Sequence, residues 1–395
     1  MRVAYQNSLA LILAASFAST IGGLPFNSLP ILLGALADTF ALKPQEIGIL
    51  GSVCFAGYLL GTLSSVLIIN RFCWRKLTVI CALASCCLLL LSALSDANWQ
   101  MFLWALIGFF AALMTCLGLR IIGQTLNKER ALGIRQGIEL GVTSMVLFFL
   151  PAFVISQFGY VGVALSLCII IFLLSFSVFW LPKNTHLATE PKSIKSQLDI
   201  PLSAWLALLV FLIFATGNIA LWAFLERIGN SIELESAQLG IVFAVLKLLG
   251  GGAALSVALV GDKLGLRKPY MIVLSVLTVG LYFIWASLTS GSNQFVFFAM
   301  GAWIWEVAFT WGCVFQTAAV ARLDQKGSAI MLIPAAFGVS AMAGPALGGW
   351  LVSFGYQQVL LLAFATSIVA VICYIGPLAV KQRQVTNEGL ADNIN

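Results

Sequence analysis

Long apolar runs alternate with short polar breaks along almost the whole chain. The pattern places twelve apolar runs, at residues 8–36, 47–69, 76–95, 99–125, 131–157, 160–182, 202–227, 236–260, 270–290, 294–321, 328–353 and 357–380. Each approaches or exceeds the roughly 20 residues that an α-helix needs to cross a bilayer. None shows the period-two alternation of a barrel strand, so the runs predict membrane-spanning helices. The longer ones are expected to tilt or to project beyond the lipid. In the first run, Pro25, Asn27 and Pro30 predict a broken helix, because proline removes a backbone donor and clashes with the preceding turn. The fold class implied is an all-α membrane protein with twelve transmembrane helices.

The longest polar break, from Lys183 to Pro201, carries Pro191, Lys192 and Lys195 and separates six runs from six. It predicts a six-helix bundle over 1–182, an exposed linker over 183–201 and a second six-helix bundle over 202–383. The polar tail over 384–395 is expected to be disordered. The halves echo each other at offsets of about half the chain. Gln157-Phe158-Gly159-Tyr160 is matched by Ser353-Phe354-Gly355-Tyr356, and Pro151-Ala152 by Pro345-Ala346. A third pair lies in the turns Asn70-Arg71-Phe72-Cys73-Trp74-Arg75-Lys76 and Gly261-Asp262-Lys263-Leu264-Gly265-Leu266-Arg267-Lys268. Three echoes at nearly one offset favour an internal duplication into two pseudo-symmetric bundles.

The second of these turns, with an acid, a base, a glycine and two further bases, resembles the loop signature of the major facilitator superfamily. The first copy departs from it, with Asn70 for the acid and Cys73 for the glycine. The resemblance implies a gating role for Asn70, Arg71, Arg75, Lys76, Asp262, Lys263, Gly265, Arg267 and Lys268. It also implies a central cavity bordered by the eighth and tenth spans, and movement of small solutes by alternating access, usually coupled to protons. In the eleventh span, Gly344, Pro345, Gly348 and Gly349 are placed for close helix packing. That run is similar to a Gly-Pro-x-x-Gly-Gly pattern that drug exporters of the family carry in the fifth span. Here the fifth span reads Leu150-Pro151-Ala152-Phe153-Val154-Ile155 and lacks the glycines, which argues against export.

Composition narrows the function classes. Apolar residues make up 61% and charged residues 9%, against about 25% charged in ordinary soluble domains. The net charge of +6 is dispersed among short loops, so no nucleic-acid partner is expected. With both termini cytoplasmic, all lysines and arginines except Lys43, Arg120, Arg227 and Lys247 fall on the inner side, as the positive-inside rule requires. The run from Ser8 to Leu36 is too long for the apolar core of a signal peptide and reads as a retained first span. The nine cysteines form no C-x-x-C pair and read as apolar packers, with no disulfide frame and no metal site. The one histidine, His186, lies in the polar linker. No phosphate-binding loop is present, so no ATP-driven cycle and no cofactor is expected. A membrane-embedded enzyme would show clustered His, Asp or Cys, and a sensor an added soluble domain; neither is legible.

The candidate chemistry lies in polar groups inside the spans, where each charge costs about 2.5–3.5 kcal/mol on the gentler insertion scale. Glu306 in the tenth run and Lys247 in the eighth are expected at similar depth, as a structural ion pair or as a substrate and proton-coupling site. Arg120 and Glu139 are expected about 10 Å from the cytoplasmic face, where they could pair across adjacent helices, with Gln124 and Arg135 one turn away from each. Their network could brace a closed state or bind substrate. Asn218 is an amide in an apolar span and needs a partner. Trp222, Trp303 and Thr310, with Asn27, are placed as cavity wall, against the blander reading of tryptophan as packing. The chain is therefore expected to be a monomeric secondary transporter of the bacterial inner membrane. Its expected partners are the lipid bilayer, a small organic solute and protons. A drug or metabolite efflux antiporter is the alternative within the same fold.

Overall fold

The computed structural model describes residues 9–122, 128–181, 200–260, 267–324, 329 and 332–380. Gln124, Asp262, Lys263 and Gly265, with most of the linker and the tail, lie outside the described residues, and for Asn70 only the backbone is described. Among the described residues thirteen α-helices follow one another: α1 (Leu9–Asn27), α2 (Leu29–Phe40), α3 (Pro44–Arg71), α4 (Trp74–Leu94), α5 (Ala97–Ile122), α6 (Lys128–Phe149), α7 (Ser156–Ser175), α8 (Leu202–Ser231), α9 (Ser236–Val260), α10 (Lys268–Thr289), α11 (Gln294–Leu323), α12 (Ile333–Val352) and α13 (Tyr356–Ile375). A π turn, Leu150–Ile155, joins α6 to α7, and a 3-10 turn, Phe176–Trp180, follows α7. Among the described residues there is no strand.

The first predicted span is two helices. α1 ends at Asn27 with Pro25 inside it, and α2 begins at Leu29 with Pro30 in its first turn. Ser28 at the break has φ −106° and ψ 12°, outside helical values. Among the described residues eleven helical stretches are long and apolar enough to cross a membrane, and one of them runs from Ala131 to Trp180. A continuous helix of that length would extend about 75 Å, more than twice the ~30 Å hydrocarbon core. Gly159, at φ 54° and ψ −148°, breaks it into two spans. Its counterpart in the second half, Gly355, has φ 120° and ψ 149° just before α13. Both sit in backbone regions that are essentially restricted to glycine, so the sequence echo is also an echo in conformation.

The other duplicated turn diverges for a visible reason. Between α3 and α4, Phe72 has φ −107° and Cys73 has φ −62°. Neither needs a left-handed conformation, so the position that carries glycine in the second copy accepts a side chain here.

The chain forms two compact units. One takes Met1–Thr189 with Leu234–Leu248, and the other Glu190–Glu233 with Leu249–Asn395, so the division falls within α9. In the first unit α5 packs on α3, α1 and α4. A methyl group on Gly57 would lie 1.8 Å from the Ala105 carbonyl oxygen, and one on Gly108 would lie 1.9 Å from that of Cys54. With only hydrogen at these positions the two backbones touch, which is how helices associate without a hydrophobic drive in lipid. In the second unit α8 packs on α12 and α13, and α11 on α10. There Gly344 seats against the Thr216 carbonyl, and Gly348 against the ring of Phe224. Pro345 and Gly349 are buried in the same helix. Stripes such as Leu60, Leu63 and Leu67, each more than half exposed, are apolar surface of the kind that a bilayer covers.

Candidate functional site

In the first unit a polar cluster joins α1 to α6. Ser19, Gly23 and Asn27 recur every fourth residue and so share one face of α1. Arg135 and Glu139 share a face of α6 by the same spacing. The Glu139 carboxylate accepts a close charge-assisted hydrogen bond from Arg135 Nη1 and a second, at 3.0 Å, from the Asn27 amide. Arg135 Nη1 also donates to the Ser19 hydroxyl at 2.8 Å, and its Nη2 to Gln136 at 3.0 Å. The two ionic side chains are 15% and 13% exposed, so the pair is largely screened from solvent. Gly23 makes room for the acid, since a Cβ there would lie 2.6 Å from Glu139 Oε1. Tyr58 of α3 lies in the field of both charges. One turn beyond Glu139, the buried Thr143 hydroxyl has no hydrogen-bond partner among the described residues.

This geometry corrects one expectation. The ion pair of Glu139 is with Arg135, one turn earlier on its own helix, and not with Arg120. Residues four apart on a helix already stand one above the other, so this pairing needs no precise helix–helix alignment. Arg120 is half-buried in the last turn of α5. Ser19, Gly23 and Tyr58 were not anticipated. The fourfold spacing of Ser19 and Gly23 with Asn27 was the available signal.

In the second unit the polar groups sit among aromatic rings. Asn218, fully buried on α8, donates to the Phe214 carbonyl at 2.9 Å and to the Ser367 hydroxyl at 3.4 Å. Its side-chain oxygen accepts from Trp305 Nε1 at 2.9 Å. Trp305 stacks on Phe309 at 5.7 Å and on Trp222 at 6.5 Å, and Phe309 stacks on Phe214 at 5.9 Å. Trp305 thus links Trp222 to Phe309 in this stack, and Trp303 and Thr310 are half-buried on the same helix.

Glu306 follows Trp305 on α11 and is 7% exposed. A Cβ on Gly250 of α9 would lie 2.6 Å from its Oε1, so this carboxylate, like Glu139, is backed by a glycine. Farther along α9, Trp311 Nε1 donates to the Ala253 carbonyl at 3.1 Å and to the Ser256 hydroxyl at 2.9 Å. Lys247 is also buried; it belongs to the first unit, and Glu306 to the second.

A further buried carboxylate was not anticipated. Glu226, near the end of α8, is 8% exposed. Arg227 Nε donates to it at 2.7 Å and the Asn230 amide at 2.7 Å. In the sequence it stands beside Arg227 near the end of a span, the pattern of an ordinary interfacial charge.

Of the turn residues, Arg75 donates to the carbonyls of Leu181 and, at 2.8 Å, Phe179. Arg71, Lys76, Arg267 and Lys268 are exposed at helix ends.

The sequence profile of the Major Facilitator Superfamily matches residues 11–321 and 207–392. No curated protein matches the chain. Solved structures do. A D-xylose–proton symporter aligns with TM-score 0.70 at 13% identity, covering 91% of this chain and 96% of that one. A bacterial homologue of the human lysosomal transporter Spinster, inward-facing and unoccupied, aligns with TM-score 0.72 at 13% identity, covering 97% and 98%. A nucleoside transporter aligns with TM-score 0.71 at 14% identity, covering 92% and 99%. At these identities the likeness is one of fold.

Proposed function

Because the chain belongs to the major facilitator superfamily, we propose that it is a secondary active transporter which carries a small polar organic solute across the bacterial inner membrane by proton-coupled alternating access. The observation that carries this reading is Glu306, a carboxyl buried in the middle of a membrane helix and backed by Gly250. Aromatic packing alone gives no reason to place so costly a group there. Solved relatives by fold include a proton symporter for a sugar and a transporter for nucleosides, both polar solutes.

In this proposal Glu306 is the coupling carboxylate, and Lys247 is a second charged group of the transport cycle. Arg135, Glu139, Asn27, Arg120 and Gln124 offer polar contacts to the solute. Trp222, Trp303 and Thr310 contribute aromatic and hydroxyl wall, and Asn218 holds the wall in place. The turns around Asn70–Lys76 and Asp262–Lys268 act in gating.

The test is transport in proteoliposomes with and without an imposed pH gradient, screened over sugars, nucleosides and zwitterions. In Glu306→Gln, which mimics the protonated acid, proton-driven accumulation should vanish while solute exchange survives. If the variant still concentrates solute against its gradient, Glu306 is not the coupling group and Glu139 takes its place in the proposal. The direction of proton-driven flux in the same assay separates import from efflux.

A further inference from the structure

A groove in the first unit sets two cations of the first gating turn beside an apolar wall that gating alone does not call for. A cavity of about 400 Å³ opens between the start of α4 and the 3-10 turn after α7, lined by Arg75, Lys76, Val79, Ile80, Val178 and Phe179. Two of these residues are cations, four are apolar, and none is acidic. The positions on α4 are 75, 76, 79 and 80, which share one helical face. α4 has 21 residues, so it spans about the thickness of the hydrocarbon core. Arg75 and Lys76 in its first turn therefore lie at headgroup level. Val79 and Ile80, one turn deeper, lie at the level of acyl chains.

The cations are arranged for an anion from the lipid side. Arg75 is held in place by its hydrogen bonds to the carbonyls of Leu181 and Phe179. Its Nη1 has no hydrogen-bond partner among the described residues. Lys76 is exposed beside it. Ile80 is 50% and Phe179 66% exposed, so the apolar wall is open. Such a wall disfavours a free soluble anion and suits a chain of methylenes. A basic pocket between membrane helices at the interface is the chemistry that takes an acidic lipid headgroup.

We propose that this groove is a binding site for one anionic phospholipid. The phosphate sits between Lys76 and Arg75 Nη1, and an acyl chain runs along Val79, Ile80, Val178 and Phe179. The site joins α4 to the segment that closes the sixth span, so the lipid clamps two elements that Arg75 already bridges.

The full-length protein in phosphatidylcholine nanodiscs doped with phosphatidylglycerol, examined by native mass spectrometry, tests this. Wild type should retain phosphatidylglycerol in preference to phosphatidylcholine. Lys76→Gln should lower that preference about fivefold, the effect of one basic residue near an anionic surface, and Lys76→Arg should keep it. Folding of each variant is checked by a monodisperse elution profile. Soluble glycerol phosphate in excess should not displace the lipid, because it lacks the acyl chain; displacement would mean that the groove reads a phosphate alone and would overturn the proposal. Equal retention of the two lipids by wild type, or unchanged preference in Lys76→Gln, would overturn it as well.

Discussion

The two units handle polar groups inside a membrane protein by different means. In the first, the interior answers charge with charge: Glu139 is held by Arg135 and Asn27, and Arg135 reaches on to Ser19. In the second, Asn218 is saturated by a backbone carbonyl, a hydroxyl and an indole, and Trp305 is then stacked between Trp222 and Phe309. The first carries its ion pair on the face where α1 meets α6; the second keeps its pair, Glu226 with Arg227, near the end of α8 and sets flat aromatic faces pinned by one amide beside Glu306. The scaffold was duplicated, as Gly159 and Gly355 still record, but the chemistry inside it was not. What the units share is a device, a buried carboxylate resting on a glycine, Glu139 on Gly23 and Glu306 on Gly250. It occurs on different helix pairs in the two units, so it is not a relic of the repeat.

The strongest way to break the comparison is to remove one charge from the first unit. Glu139→Leu leaves Arg135 buried without its counter-charge, and loss of one partner of a buried pair costs about 3–5 kcal/mol. Folded yield and thermal unfolding should fall sharply, and the double variant Arg135→Leu/Glu139→Leu should recover most of the loss. Equal destabilisation of the single and double variants would mean that the ion pair does not organise this interior.

The second unit should respond through hydrogen bonding instead. Asn218→Leu strands the buried Trp305 Nε1 donor, at a cost of about 1–3 kcal/mol. The unfolding temperature should drop, and adding Trp305→Phe should give part of it back, since no orphan donor then remains. If the second substitution only adds to the damage, the indole's hydrogen bond is not what fixes the stack.

The smallest effect tests the shared device. Alanine at Gly23 or Gly250 gains helix propensity, worth about 0.5–1 kcal/mol, but pushes against a carboxylate, an overpacking that costs about 1–3 kcal/mol. The net destabilisation should be near 1 kcal/mol in each, with a clear loss of transport rate in both. A transport defect confined to one of them would show that only that unit's carboxylate needs its seat.

The sequence by itself determined the spans, the break in the first helix, the internal repeat and the family resemblance. Each depends on local facts: the length of an apolar run, the missing donor of Pro25 and Pro30, the backbone freedom of Gly159 and Gly355. It also located the costly groups Glu139, Glu306, Asn218 and Lys247, because a polar residue in an apolar run is visible without a structure. Only the tertiary structure decided what they meet. Arg135 rather than Arg120 took Glu139, Trp305 entered the stack with Trp222, and Glu226 proved to be buried near the end of α8. The physical reason is rotation about the helix axis. A soluble helix announces its inner face by its apolar stripe, but these helices are apolar nearly all round, because lipid and core are equally dry. The angle at which each helix presents its few polar groups is then set by close packing at glycines and by the hydrogen bonds those groups must find, and both come into being only when the helices meet.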